Sequence, residues 1–225
     1  MTRAALWPHA AAMALVVAAS NVLVQFPVAG QVGGLSLADL LTWGAFTYPF
    51  AFLVTDLANR RHGPAFARRV VFAGFVVAIL CSLTVPALLH AAGLPGFESA
   101  PGRLARIAAA SGSAFLAGQL LDVTVFNRMR RQAWWRAPAL SSVLGSLVDT
   151  AVFFTIAFAG AFALVGPGDE FASQAAPLLG ALPLETPRWI SWALGDLTVK
   201  LLIAAVALLP YRLAMAYFGA ARAPA

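Results

Sequence analysis

The chain carries one cysteine, three histidines and few charged residues, and each scarcity excludes something. With Cys81 alone, no internal disulfide forms. Its place in an apolar run marks a small buried hydrophobe. His62 has no second histidine or cysteine nearby, so its surroundings do not spell a metal site. No G-x-S-x-G, H-E-x-x-H or Cys-His arrangement is present, and no G-x-x-x-x-G-K-[ST], so the chain does not hydrolyse ATP through a P-loop. No catalytic constellation emerges, and the expectation is a protein that is not an enzyme and holds no cofactor. Charged residues make up only 11% of the chain, against about 25% in soluble domains.

Apolar residues, by contrast, make up 61% of the chain, and the mean hydropathy is +0.82. That is an integral membrane composition. The long apolar runs are uninterrupted, whereas barrel strands alternate every second residue, so the fold class is all-α. The 225 residues suffice for about six spans of about 20 residues and no soluble domain besides. The expectation is a single six-helix transmembrane domain over 1–225. A cleaved signal peptide is not expected, because the first apolar run lacks a small-x-small site after a basic start.

Span 1 is expected at residues 10–28, with Ser20, Asn21 and Gln25 in its second half and small residues Ala10, Ala14 and Ala18 at four-residue spacing. Gly30, Gly33 and Gly34 mark a loop. Span 2 is expected at 37–57. Pro49 in its middle removes a backbone donor, which predicts a kink or an unwound turn. Trp43, Phe46 and Tyr48 beside the break are placed either to stack on a flat ligand or to pack on neighbouring helices. Asp56 falls near a basic loop, where capping or a salt bridge is expected. Span 3 is expected at 70–89 with a kink at Pro86, followed by a loop over 90–102. Span 4 is expected at 104–126, with Arg106 as an interfacial anchor. Trp134-Trp135 beside arginines fits the membrane interface. Span 5 is expected at 140–165 and carries Asp149-Thr150. Span 6 is expected at 189–209, carries Asp196 and Lys200, and is closed by Pro210.

Basic residues are unevenly shared between the two sides of this arrangement. Arg3, Arg60, Arg61, Arg68, Arg69, Arg128, Arg130, Arg131, Arg136, Arg212 and Arg222 fall on one side; Arg103, Arg106 and Arg188 fall on the other. The positive-inside rule places the first group, and both termini, in the cytoplasm. The net charge of +6 is thereby explained by topology rather than by nucleic acid.

At lipid depth lie Asn21, Gln25, Gln119, Asp122, Asp149, Asp196 and Lys200. A carboxylate there costs roughly 2.5–3.5 kcal/mol on insertion scales. Asp196 and Lys200, four apart, share a helix face in the favourable ion-pair order, and Gln119 and Asp122 share another. Either these groups neutralise one another, or a ligand, a proton or a cation shares the site. Carboxylates and amides near aromatic rings suit a planar N–H donor such as a nucleobase. A phosphate would call for several inward arginines. An acid–base pair of Asp122 and Asp149 is a distant alternative, because nothing shapes a cleavage site.

Several segments together resemble the queuosine precursor transporter (VUT) family: Thr42-Trp-Gly-Ala-Phe-Thr-Tyr-Pro-Phe50, Thr55-Asp-Leu with Arg60 and Gly63, Ala67-Arg-Arg69, Gly118-Gln-Leu-Leu-Asp-Val with Val125-Phe-Asn-Arg128, Trp134-Trp135, Asp149-Thr150, and Asp196 with Lys200. The resemblance covers most of the chain. It implies a six-helix vitamin-uptake type of membrane protein importing 7-deazaguanine precursors of queuosine, 7-cyano-7-deazaguanine or 7-aminomethyl-7-deazaguanine, across the bacterial cytoplasmic (inner) membrane. The alternative is a substrate-binding subunit that needs a partner energy-coupling ATPase complex. The substrate groups it implies are Asn21, Gln25, Gln119, Asp122, Asp149, Asp196 and Lys200, with Trp43 and Phe46 supplying the stack. The partners expected are the deazaguanine base and membrane lipids, not nucleic acid. The oligomeric state, a homo-oligomer included, stays open.

Overall fold

A computed structural model describes residues 3–94 and 100–220. Pro95 and Gly96 of the loop expected over 90–102, and Arg222 of the basic set, lie outside the described residues. The protein is mostly helical. α1 (Arg3–Leu23) leads to a two-stranded antiparallel hairpin, β1 (Gln31–Val32) and β2 (Leu35–Ser36). Its two-residue turn is Gly33-Gly34, with φ of 56° and 83°; this left-handed pairing matches the twist of a hairpin and favours glycine at both places. Next come α2 (Gly44–Thr47), α3 (Phe50–His62), α4 (Pro64–Ala91), α5 (Pro101–Met129) and α6 (Arg136–Phe158). α7 (Glu170–Ser173) and a second antiparallel hairpin, β3 (Ala175–Leu178) with β4 (Leu182–Pro187), precede α8 (Arg188–Ala220).

Among the described residues, five helices are long and apolar enough to cross a membrane: α1, α4, α5, α6 and α8. The segment expected as span 2 is broken. Its first residues, Leu37–Asp39, form a short 3-10 turn, and Pro49 separates α2 from α3. α3 is too short and polar to register as a span, and its position explains why. It touches α1, α4, α5, α6 and α8, and Ala51, Phe52, Thr55, Asp56, Ala58 and Asn59 are buried. A helix shielded by its neighbours needs no apolar surface for lipid.

Other boundaries move for local reasons. α1 begins seven residues before the expected start and ends at Leu23. α6 stops at Phe158 rather than at Val165, because Ala159 turns extended (φ −67°, ψ 138°) and Gly160–Phe162 makes a 3-10 turn. Pro210 does not close the last helix: α8 continues to Ala220. Gly63, with φ of 90°, ends α3, and Pro64 starts α4 at the first helical position, where its missing N–H costs nothing.

The two ends of the bundle collect different parts of the chain. At one end, His9 of α1 meets His62 with ring centroids 5.1 Å apart. There Arg60 donates to the carbonyl of Arg130 at 2.5 Å while Arg130 donates back to the carbonyl of Arg60 at 3.2 Å. Arg60 Nε also reaches the Tyr211 hydroxyl at 2.8 Å, and Arg212 lies over Trp134. At the other end, Pro27 bridges Thr42, and the start of α5 is tied to the end of α6 by two arginines.

Arg106, at the end of the bundle, is fully buried. It donates to the carbonyls of Ile156 (2.8 Å), Ala159 (2.6 Å) and Gly166 (3.1 Å). Arg103 donates to the Ala157 carbonyl at 2.7 Å and pairs with Asp169 at 3.3 Å. A lysine has one ammonium and cannot span three divergent carbonyls. Arg106→Lys is expected to orphan at least one of them, costing about 1–3 kcal/mol, read as a lower melting temperature of the detergent-purified protein.

The closest helix contact is α5 on α6. A Cβ at Gly118 would stand 2.9 Å from both the Gly145 carbonyl oxygen and the Asp149 Cβ. A Cβ at Gly145 would stand 2.6 Å from the Phe52 ring. Small residues let membrane helices approach closely, and here they press the polar faces of α3, α5 and α6 together. The apolar core lies beside this seam, around Met13, Val17, Ala51, Val70, Phe115 and Val123.

Candidate functional site

The polar residues gather into two neighbouring groups on the inner faces of α3, α5, α6 and α8. The first is ionic. Lys200 Nζ lies 2.7 Å from Asp149 Oδ2 and 2.6 Å from Asp196 Oδ2, and donates to Thr150 Oγ1 at 3.1 Å. Thr150 in turn donates to Asp196 at 2.9 Å. The Tyr48 hydroxyl donates to Asp149 Oδ1 at 2.7 Å, and the Lys200 ammonium sits 5.0 Å from the centre of the Tyr48 ring. The side chains of Lys200 and Asp149 are 6% and 5% exposed. This burial matters because charge–charge attraction strengthens as water is excluded. Two carboxylates and one ammonium leave the group one negative charge in excess when all are ionised.

The break at Pro49 brings Tyr48 here. Tyr48 is the last residue before that proline, so its side chain enters the bundle where the backbone changes direction. Asp149 and Thr150 are consecutive on α6. Asp196 and Lys200 are one turn apart on α8, as their spacing predicts.

The second group is uncharged at its upper part and acidic below. Thr55 donates to Gln119 Oε1 at 2.6 Å. Asn59 donates to the Val123 carbonyl at 3.0 Å. Ser141 and Ser142 of α6 donate to the two carboxyl oxygens of Asp56 at 3.2 and 3.5 Å. Asp56 is thus neither a cap nor a loop salt-bridge partner: it is 1% exposed, inside α3. The apolar residues on both sides of it, Ala51–Val54 and Leu57-Ala58, were the signal that the helix continues past it. Asp122, fully buried, neighbours Asp56 and Ser141. Several buried atoms in this region have no hydrogen-bond partner: Gln119 Nε2, both oxygens of Asp122, Asn59 Oδ1 and Ser146 Oγ. Buried polar atoms without partners cost roughly 1–3 kcal/mol each, so an unpartnered set of this kind marks a place built for something else.

Not every implied substrate residue arrives here. Asn21 faces α4, donating to the Val17 carbonyl and accepting from Ser82 at 3.0 Å. Gln25 donates to the Asn21 carbonyl at 3.4 Å, at the end of α1. Trp43 is 47% exposed and packs on Phe46, ring centroids 5.7 Å apart. Tyr48 is the aromatic that reaches the ionic group. Thr55 and Asp56, which the sequence reading did not place among the substrate groups, join the second polar group. Among the described residues, no group of three or more His, Cys, Asp or Glu side chains gathers as a metal cage.

Comparison with known proteins gives the family. Residues 42–214 match the family described as putative vitamin uptake transporter. The chain is 38% identical over 200 residues to the queuosine precursor transporter of Escherichia coli, covering 87% of this chain and 79% of that protein. It is 42% identical over 153 residues to the probable queuosine precursor transporter of Haemophilus influenzae, covering 64% and 65%. A similar protein of the same description in Bacillus subtilis is 30% identical over 132 residues. No solved structure matches. The matched region holds α3, α4, α5 and α6 entire, most of α8, and both polar groups. This multi-pass membrane protein therefore belongs to the putative vitamin uptake transporter family.

Proposed function

We propose that this protein imports a 7-deazaguanine precursor of queuosine across the bacterial cytoplasmic membrane and binds the base at the Asp149–Lys200 group. The observation that carries the proposal is the ionic group itself, at lipid depth, beside buried amide and hydroxyl atoms that have no partner. The printed names of the relatives supply the substrate class. A guanine-like edge offers two parallel N–H donors, which a single carboxylate accepts together. Asp149 suits that role: its oxygens are held by the Tyr48 hydroxyl and the Lys200 ammonium, donors that a base replaces. Gln119 Nε2 is left to donate to a ring acceptor, Lys200 to the carbonyl, and Tyr48 to stack. The two carboxylates beside Lys200 fit a donor-rich guest better than an anion.

The broken segment α2–α3 counts as the sixth crossing, between α1 and α4. Its N-terminal side adjoins the end of α1, and its C-terminal side adjoins the start of α1 at His9 and His62. With six crossings both termini lie on the side rich in arginine, the cytoplasm.

Uptake tests the proposal. In bacteria unable to make queuosine precursors, supplied 7-cyano-7-deazaguanine is expected to restore queuosine to tRNA when this chain is expressed. Asp149→Asn is expected to lower uptake about tenfold or more at equal expression, the equivalent of ~1.4 kcal/mol in binding. Normal uptake by that variant would contradict the site. Uptake by the purified chain alone in vesicles distinguishes a self-sufficient transporter from a subunit that needs a partner ATPase.

A further inference from the structure

Two carboxyl groups meet where α3 packs on α5, and no cation stands between them. Asp56 is 1% exposed and Asp122 fully buried. Asp56 takes its hydrogen bonds from Ser141 and Ser142. Asp122 takes none, although its neighbours are Asp56 and Ser141. An ionised carboxylate only accepts hydrogen bonds. Two of them side by side, away from water, do not both stay ionised. One proton on either carboxyl supplies the donor that the Asp122 oxygens lack.

Two further observations point to the same spot. Asn59 is fully buried, one turn past Asp56 on the same face of α3. Its Nδ2 is held by the carbonyl of Val123, the residue next to Asp122, while its Oδ1 has no partner. A narrow crevice between α3, α6 and α8 also reaches Asp56. Pro49, Leu53, Ser142, Ala207 and Tyr211 line it, and its volume of about 10 Å³ suits one water molecule and nothing larger.

The surrounding charged and titratable groups are turned to other partners. Arg60 of α3 donates through Nε to Tyr211 and through Nη1 to the Arg130 carbonyl, while its Nη2 has no partner. Arg130 donates to the Arg60 carbonyl. Lys200 of α8 is held by Asp149 and Asp196. On α4, Arg68 and Arg69 are exposed, and His62 stacks on Phe66 and His9.

We propose that Asp56 and Asp122 hold one exchangeable proton between them and that this proton is the ion whose movement drives uptake. The inference rests on the transport reading above. Only an O–H bond forms and breaks. Water that enters with the base from the side opposite the arginines delivers the proton to the pair, and water in the crevice, at the arginine-rich end, takes it from Asp56; the pair carries one negative charge with the proton and two without it. Without it, repulsion parts α3 from α5. The same helices reach the substrate group: α3 leads back to Tyr48, and Ser142 precedes Asp149 on α6 by two turns, about 10 Å.

The experiment uses the full chain in vesicles, with 7-cyano-7-deazaguanine as the probe. One pH unit, acid outside, is expected to drive about tenfold accumulation for each proton carried. Asp56→Glu, which keeps a carboxyl in place, is expected to retain that accumulation; Asp122→Asn and Asp56→Asn are each expected to abolish it. Accumulation that still follows the pH gradient in both variants, or that follows a sodium gradient in the unaltered protein, overturns the proposal. Infrared spectra separate this failure from failure of the transport reading. Even where no base binds, the unaltered protein is expected to show the carbonyl band of a protonated carboxylic acid at neutral pH, and Asp122→Asn to lose it. A band identical in both proteins overturns the shared proton on its own.

Discussion

Lys200→Met is expected to be the most damaging single change in the protein, with a loss of about 3–5 kcal/mol, the usual penalty for removing one partner of a buried ion pair. Among the described residues, Lys200 is the cation paired with Asp149 and Asp196, and its ammonium is within 2.7 Å of both. Methionine keeps the length of the side chain and removes the charge. Two carboxylates are then left facing each other, with only Thr150 and Tyr48 to satisfy them. The measurement is the melting temperature of the detergent-purified protein. Pairing the change with Asp149→Asn is expected to restore part of the loss, because one of the two unpaired carboxylates is then gone while Asp196 still lacks its cation. Uptake is expected to stay lost in the double variant. A single variant that melts where the unaltered protein does would show that the ammonium is not what holds α6 and α8 together.

Gly118→Val is expected to be nearly as severe. The first added atom already stands 2.9 Å from the Gly145 carbonyl oxygen, a contact real Cβ atoms essentially never make, and the obstacle is backbone rather than a movable side chain. Overpacking a core typically costs about 1–3 kcal/mol. Here the displacement also moves Asp149, whose Cβ is the other atom in the way. Both melting temperature and uptake are therefore expected to fall. Gly160→Ala is the control: nothing lies within 4 Å of its added Cβ, so neither quantity is expected to change.

Much of this architecture is visible in composition and spacing. The five long helices follow from their apolar runs, and the break at Pro49 from the chemistry of proline. The Asp196–Lys200 pair follows from its four-residue spacing. Their third partner does not. Asp149 is 51 residues from Lys200, and only the packing of α6 on α8 joins them. Asp56 was hidden for a different reason. Arg60, Arg61 and His62 follow it closely, so a local reading assigns it to the polar loop, whereas α3 runs on through His62 inside a sheath of other helices. The partners of Arg106 were hidden as well: the carbonyls it holds come from the last turn of α6 and just beyond it, about 50 residues along the chain. The first hairpin was hidden by length, since two-residue strands leave almost no alternation to see.

The reciprocal clasp of Arg60 and Arg130 has a consequence for conditions of measurement. Each guanidinium closes on a neutral peptide oxygen, not on a carboxylate, as Arg106 does at the far end. Mobile ions weaken attraction between exposed opposite charges but have little hold on a buried bond to a neutral acceptor. The arginine-rich mouth is thus latched by a fastener that brine leaves largely intact, whereas the other, where Arg103 also pairs with the partly exposed Asp169, should yield sooner in concentrated salt.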